Sequence, residues 1–201
     1  MKKIGITGGI GSGKTYICQQ LRQRGIPVYH CDDEAKRLMT QSSHIRQQLI
    51  QLLGSDAYIS NELNKPLIAA YLFANEDHAA QVNAIVHPVV KQDFLRWAAQ
   101  QDAPIVAQEC ALLFETGFQD TVDFTVEVYA PLPLRLQRAT QRDHATTEQI
   151  QARMAQQMDE EEKLRLADFC ILNDETTDLN QQIDQLLAEI KEAKDNAKPI
   201  A

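Results

Sequence analysis

The sequence predicts an α/β fold: a five-stranded parallel sheet flanked by helices, with a helical insertion after the second strand. Three observations lead there. Short apolar runs bounded by turn residues alternate with longer stretches of helical periodicity, the pattern of a parallel sheet with crossover helices. The first run passes through a glycine-rich junction straight into a helix. About seventy residues separate the second run from the third, far more than one crossover helix needs.

Strands are expected at 3–7, 26–30, 104–108, 124–129 and 169–172, each bounded by turn residues. A helix over 14–24 puts Ile17, Leu21 and the stem of Arg24 on one face. The interval 32–97 reads as mostly helical, with Ile45, Leu49, Leu52 and Leu53 along one face and Val82, Ile85 and Val86 along another. It has the character of a helical region that holds a substrate over one end of a sheet, although plain core-forming helices would show the same pattern. From 176 to 194 runs an amphipathic helix built on Leu179, Ile183, Leu186, Leu187 and Ile190, followed by a polar, fraying terminus.

At 201 residues, 44% hydrophobic and 24% charged, the chain fits a single domain over 1–201 and is not disordered throughout. A net charge of -8 argues against non-specific binding to nucleic acid or an anionic membrane. No run of eighteen apolar residues exists and no signal-peptide segment follows Met1, so a cytoplasmic protein is expected. Cys18, Cys31, Cys110 and Cys170 are scattered without a C-x-x-C pair, as for reduced thiols. The charge is uneven: 156–201 holds twelve acidic and five basic residues, and the rest is nearly neutral. Local field, rather than the net figure, should therefore govern ligand binding, and the acidic tail is read as serving solubility. Nothing in the sequence sets the oligomeric state; a monomer is compatible with it.

Gly8-Gly9-Ile10-Gly11-Ser12-Gly13-Lys14-Thr15 fits G-x-x-x-x-G-K-[ST] at every fixed position, after a strand and before a helix. Glycines let consecutive backbone N–H groups turn inward around phosphate oxygens, and the helix N-terminus adds a favourable field. Lys14 supplies a point charge for the β and γ phosphates, and the Thr15 hydroxyl is placed to ligate Mg²⁺. A turn that merely joins strand to helix needs neither the Lys-Thr pair nor so many glycines. The motif indicates a nucleoside triphosphate, with ATP and Mg²⁺ as the expected ligands, and leaves open where the γ phosphate goes.

The N-K-x-D motif of a GTP switch is absent; Asn64-Lys65 runs on into Pro66-Leu67. A motor or transporter ATPase would bring more chain than this, although 104–109 could be its acidic strand with Glu109 or Glu115 near the metal. A small-molecule kinase explains more. Arg135, Arg138 and Arg142 fall at i, i+3 and i+7 of a helical stretch, and phosphoryl transfer needs positive charge around the equatorial oxygens. The same spacing suits a solvated face with Arg142 or Arg138 paired to Asp143. Asp32, just past the second strand, lies at the carboxyl edge where such sheets bind ligands. It could accept a proton from an attacking hydroxyl or bind Mg²⁺ through water, while Asp32 and Asp33 would equally suit the cap and first turn of the next helix.

Further motifs carry a resemblance. Ile6 to Lys14, Cys31-Asp32, Val86-His87-Pro88, Leu112-Leu113-Phe114-Glu115, Gln141-Arg142-Asp143, Gln157, Ala167-Asp168 and Asn173 follow one another in the order seen in dephospho-coenzyme A kinases, which the chain resembles over nearly its whole length. The resemblance implies a P-loop kinase fold with a helical acceptor region over about 32–100 and a short lid over about 138–160. It implies transfer of the ATP γ phosphate to the ribose 3′-hydroxyl of dephospho-coenzyme A, giving coenzyme A and ADP. Asp32 matches the base for that hydroxyl, and Lys14 with the loop amides from Gly11 to Tyr16 matches the ATP phosphate site. Gly8 and Gly9 complete the loop. Arg142 matches a lid arginine at the transferring phosphate, with Arg138 a supporting charge, and Asn173 falls where the family contacts adenine. His87 and Glu115 are expected on the acceptor side, though a His before Pro at a helix start can simply set the entry angle.

The chain departs from the family's pattern in three places. His30 stands where a D-x-D motif has its first carboxylate, which bears on metal or acceptor contacts. Ala111 replaces a proline, and Tyr16 stands where Thr is common; a loop amide serves from any residue except proline. Two other readings are a kinase for another acceptor, such as a nucleoside monophosphate or shikimate, and a nucleotide-binding regulatory module with little turnover.

Overall fold

The computed structural model describes residues 1–192, with the backbone alone at 73 and 76. It falls into two compact units, one of residues 1–29 with the chain from 101 onward, the other of His30–Gln100. The first holds the sheet. β1 (Lys2–Thr7) leads into α1 (Lys14–Gln23) and then β2 (Val28–His30), which ends at the boundary. All five expected strands form, in the order β2-β5-β1-β6-β7.

β1 pairs in parallel with β5 and β6, and the registers Ile6↔Glu109 and Thr7↔Glu127 bring two acids level with the end of β1. Ile4, Ile6, Val126, Val128 and Ile171 are fully buried, with Ile17 and Leu21 of α1 in the same core. The second strand starts two residues later than expected, because Ile26 is used by the helix before it. Gly25, at φ +79°, donates to Arg22 O and Ile26 donates to Leu21 O, a pattern that satisfies the last carbonyls of α1.

In the second unit, α2 (Cys31–Gln41), α3 (Ser43–Leu53), a short 3-10 turn, the hairpin β3 (Tyr58–Ile59) and β4 (Glu62–Leu63), α4 (Lys65–Ala74) and α5 (Glu76–Ala99) follow in turn. Ser42, Asn64 and Asn75 cap α3, α4 and α5 through their side-chain oxygens. Asn64-Lys65 is thus a helix start. The hairpin was not expected: Ser60 and Asn61 both have positive φ, which a two-residue turn of this hand requires, and strands of two residues leave no periodicity to read.

Two expectations in this unit are corrected. α2 begins at Cys31 with His30 as its cap residue, so Asp32 and Asp33 lie inside the first turn, where carboxylates favour the helix dipole, and neither is the cap. His87-Pro88 is not at a helix start but in the interior of the 24-residue α5. Pro88 removes one N–H from the ladder. The helix continues because Val82, Val86, Val90 and Phe94 form a buried stripe, and α5 packs on α2, α3 and α4.

The first unit resumes with β5 (Ile105–Glu109), β6 (Phe124–Tyr129), α6 (Leu132–Asp143), α7 (Thr147–Met154), α8 (Glu160–Leu166), β7 (Phe169–Leu172) and α9 (Leu179–Glu192). Asp168 fastens the start of β7 to β6, accepting from Thr125 N–H at 2.8 Å and from its hydroxyl at 2.7 Å. α9 starts three residues later than expected. Asp174 takes the N–H groups of Thr176 and Thr177 into a turn, and Asp178 takes those of Asn180 and Gln181. Ile183, Leu186 and Ile190 are buried as predicted. The expected end of that helix at 193–194 and the fraying terminus lie outside the described residues. No helix among the described residues is long and apolar enough to cross a membrane.

Candidate active site

The loop between β1 and α1 is bent by three glycines in the left-handed half of φ: Gly8 at +150°, Gly11 at +81° and Gly13 at +97°. The close approach of other groups matters as much. A Cβ on Gly13 would collide with Asn173 Nδ2, one on Gly9 with the Arg135 guanidinium and the Glu160 carboxylate, and one on Gly11 with the backbone of Arg135. Lys14 folds back over the loop, its ammonium donating to Gly8 O at 2.5 Å and reaching Gly9 O at 3.4 Å. Ser12 N–H donates to Gly9 O and Tyr16 N–H to Gly13 O, while the Tyr16 side chain is exposed. Ser12 is fully buried and its hydroxyl has no hydrogen-bond partner.

Thr15 Oγ1 donates to Glu109 Oε1 at 3.2 Å, joining the first turn of α1 to the end of β5. Mg²⁺ takes hard oxygen ligands, commonly one or two from the protein with phosphates and water completing the shell. Cis ligands of such an ion stand about 3 Å apart. The Thr15–Glu109 pair fits this donor set. Among the described residues no group of three or more His, Cys, Asp or Glu is arranged to hold a metal. Cys18, one turn along α1, is buried with Glu109 nearby, and both raise its thiol pKa far above the ordinary range.

The three arginines of α6 part company. Arg135 is 5% exposed; its Nε donates to Ile10 O at 3.0 Å and its Nη1 meets Glu160 at 3.0 Å. Arg138 donates to the Asn173 carbonyl and to Glu175, both at 3.1 Å. Arg142 is largely exposed and grips Asp143 through Nε at 2.7 Å and Nη2 at 3.1 Å, the pairing weighed above as an alternative. Arg153 of α7 shares that carboxylate at 2.8 Å, and the hydrogen bonds from Arg142 hold Asp143 down at about 2. Asn173 is buried and gives Nδ2 to Ser12 O at 2.7 Å, so it clasps the loop from beneath.

Glu115 accepts from Met158 N–H at 2.9 Å and lies 3.7 Å from the Lys163 ammonium. In the other unit, Asp32 is exposed on the first turn of α2, and His87 lies on α5, where burial and then Lys91 lower its pKa and favour the neutral ring.

Gln157 had no derived role; its Oε1 accepts from Ile10 N–H at 3.0 Å. Glu127, Glu160 and Lys163 were missed altogether. Glu127 left a signal, since an acid between Val126 and Val128 interrupts a mostly apolar strand that lies inside the sheet. Lys163 left none: after three consecutive glutamates it reads as part of a solvated helix face, yet it is fully buried.

A family model described as dephospho-CoA kinase matches residues 2–178. A dephospho-CoA kinase of Bacteroides fragilis is 48% identical over 187 residues, covering 92% of this chain and 91% of that protein. One from Porphyromonas gingivalis is 38% identical over 197 residues and 98% of both chains. Among solved structures, a Thermus thermophilus protein superposes with a TM-score of 0.80 at 32% identity, over 96% of this chain and 97% of that one.

Proposed function

We propose, from the premise that this chain belongs to the dephospho-CoA kinase family, that it transfers the γ phosphate of ATP to the ribose 3′-hydroxyl of dephospho-CoA, giving CoA and ADP. The observation that carries the reading is the glycine loop, shaped with Lys14 folded over it and Thr15 joined to Glu109 at its exit. The loop amides from Gly11 to Tyr16 receive the triphosphate, and Lys14 exchanges the carbonyls of Gly8 and Gly9 for phosphate oxygens. Thr15 and Glu109 would hold Mg²⁺, which when bound neutralises charge on the phosphates. Arg138 keeps the loop after β7 in place for adenine, with Asn173 at its start.

Asp32 takes the proton of the 3′-hydroxyl as the new O–P bond forms, and the β–γ bridging oxygen leaves with ADP. Arg142 exchanges Asp143 for the transferring phosphate when the lid over about 138–160 closes. His87 serves the acceptor from the helical region. Glu115 we assign to bracing, because its carboxylate is engaged by Met158 and Lys163. A cytoplasmic setting agrees with the cysteines being thiols, three of them buried. Purified protein with ATP and Mg²⁺ should convert dephospho-CoA into a product heavier by one phosphate, with equimolar ADP, in preference to shikimate or nucleoside monophosphates. No such product at high enzyme concentration would overturn the reading.

A further inference from the structure

Beside the glycine loop lies a group of charges that the transfer step does not use. Glu127 is fully buried on β6, and neither of its carboxylate oxygens has a hydrogen-bond partner. Lys163 of α8 is as deeply buried, and its ammonium makes no hydrogen bond. The nearest anions stand off from it, Glu160 Oε1 at 3.5 Å and Glu115 Oε1 at 3.7 Å.

Both of those carboxylates act on the loop through a neighbour. Glu160 holds Arg135, whose Nε donates to the carbonyl of Ile10. Glu115 accepts from Met158 N–H, next to Gln157, whose Oε1 accepts the N–H of Ile10. The N–H and the C=O of one loop residue are therefore held by two segments that converge on one lysine. Without Lys163, Glu160 and Glu115 would lose the cation they share, and Glu127 would keep only the weaker attractions of Lys14 and Arg135. Burial and then Glu160 already push Glu127 up to about 8.

We propose that Lys163 is a positioning residue for phosphoryl transfer: it balances Glu160 and Glu115, so that Arg135 and the Gln157–Met158 segment hold Ile10 and keep the loop in its phosphate-binding shape. Lys163 touches no substrate. Its effect falls on the nucleotide and spares the acceptor.

The inference rests on the loop being the nucleotide site, and one experiment separates the two. Lys163→Met removes the ammonium and keeps the length of the stem. Binding of a fluorescent ATP analogue and KM for each substrate are measured on the whole protein. The analogue's Kd and KM for ATP should each rise about tenfold, the cost of losing roughly one charge-assisted hydrogen bond at the loop, with KM for dephospho-CoA within twofold. A merely structural role would lower the thermal midpoint and the active fraction and leave Kd and both KM values of the folded protein unchanged. That result overturns the proposal, as does an equal rise in both KM values. If Lys163→Met does not fold, Glu160→Gln carries the same expectation, and an unchanged Kd there overturns it. A parent protein that binds no analogue overturns the nucleotide-site reading and this inference together; a parent that binds with an unaltered variant overturns this inference alone.

Discussion

Replacing Gly13 by alanine tests the packing of the glycine loop against Asn173, just past the end of β7. Two costs are expected. The first is conformational: at φ +97° an alanine is strained by about 1–2 kcal/mol. The second is steric, because the new Cβ collides with Asn173 Nδ2. Asn173 must then give up its 2.7 Å bond to Ser12 O and leave a buried acceptor unsatisfied, which costs about 1–3 kcal/mol more. Gly25 is the internal control, since it has φ +79° and nothing within 4 Å of an added Cβ. The unfolded chain loses the same freedom in both variants, so that term cancels in the difference. Urea unfolding should show Gly13→Ala less stable than Gly25→Ala by about 1–3 kcal/mol with unchanged m, a difference of about 2–4 °C in midpoint for each kcal/mol. Equal losses in the two variants would refute the clasp between Asn173 and the loop.

Two further outcomes follow from the acids. Asp32→Asn should lower kcat by about 10² or more with little change in the Kd for ATP, measured by steady-state kinetics and nucleotide binding; near-normal turnover would return Asp32 to favouring the dipole of α2. Glu127, raised to about 8 chiefly by burial, ionises in the unfolded chain at a lower pH than in the folded one. Its contribution to stability is therefore complete below its ordinary range and is lost as pH rises toward about 8. Glu127→Gln should flatten the fall in stability between about pH 5 and 8, and an unchanged pH profile by urea unfolding would contradict the burial argument.

The parts of the molecule that were legible are those whose signal is local. Five strands could be read because apolar runs and turn residues adjoin in sequence, and the phosphate loop because its spacing is its geometry. Boundaries slipped where a backbone group serves a neighbouring element, as with Ile26 closing α1 and Asp178 delaying α9. Pro88 misled because the buried stripe that carries α5 past it is a tertiary effect. The motif accounts for where Lys14 and Thr15 lie in the loop, whereas the buried charges around Lys163 come from residues 115, 127, 135 and 160 and have no spacing to recognise. The acidic tail was read as solvating, yet Glu160 and Glu175 neutralise Arg135 and Arg138, Asp168 ties β7 to β6, and Asp174 and Asp178 close a turn and a helix start. Charge counted along a chain does not reveal which charges are already spoken for.

The folded-back Lys14 changes how nucleotide affinity should be reckoned. Its ammonium already has carbonyl acceptors at Gly8 and Gly9, so under the proposed function an arriving phosphate would take over a place held by the chain's own oxygens. What the lysine contributes is the excess of a charged acceptor over a neutral one, a fraction of the full ion-pair energy. Under the same proposal the substitution would work in reverse when ADP departs, because two internal acceptors are at hand to take the ammonium back. An internal stand-in of this kind trades tightness of binding for ease of exchange, which suits a site that must empty after every turnover.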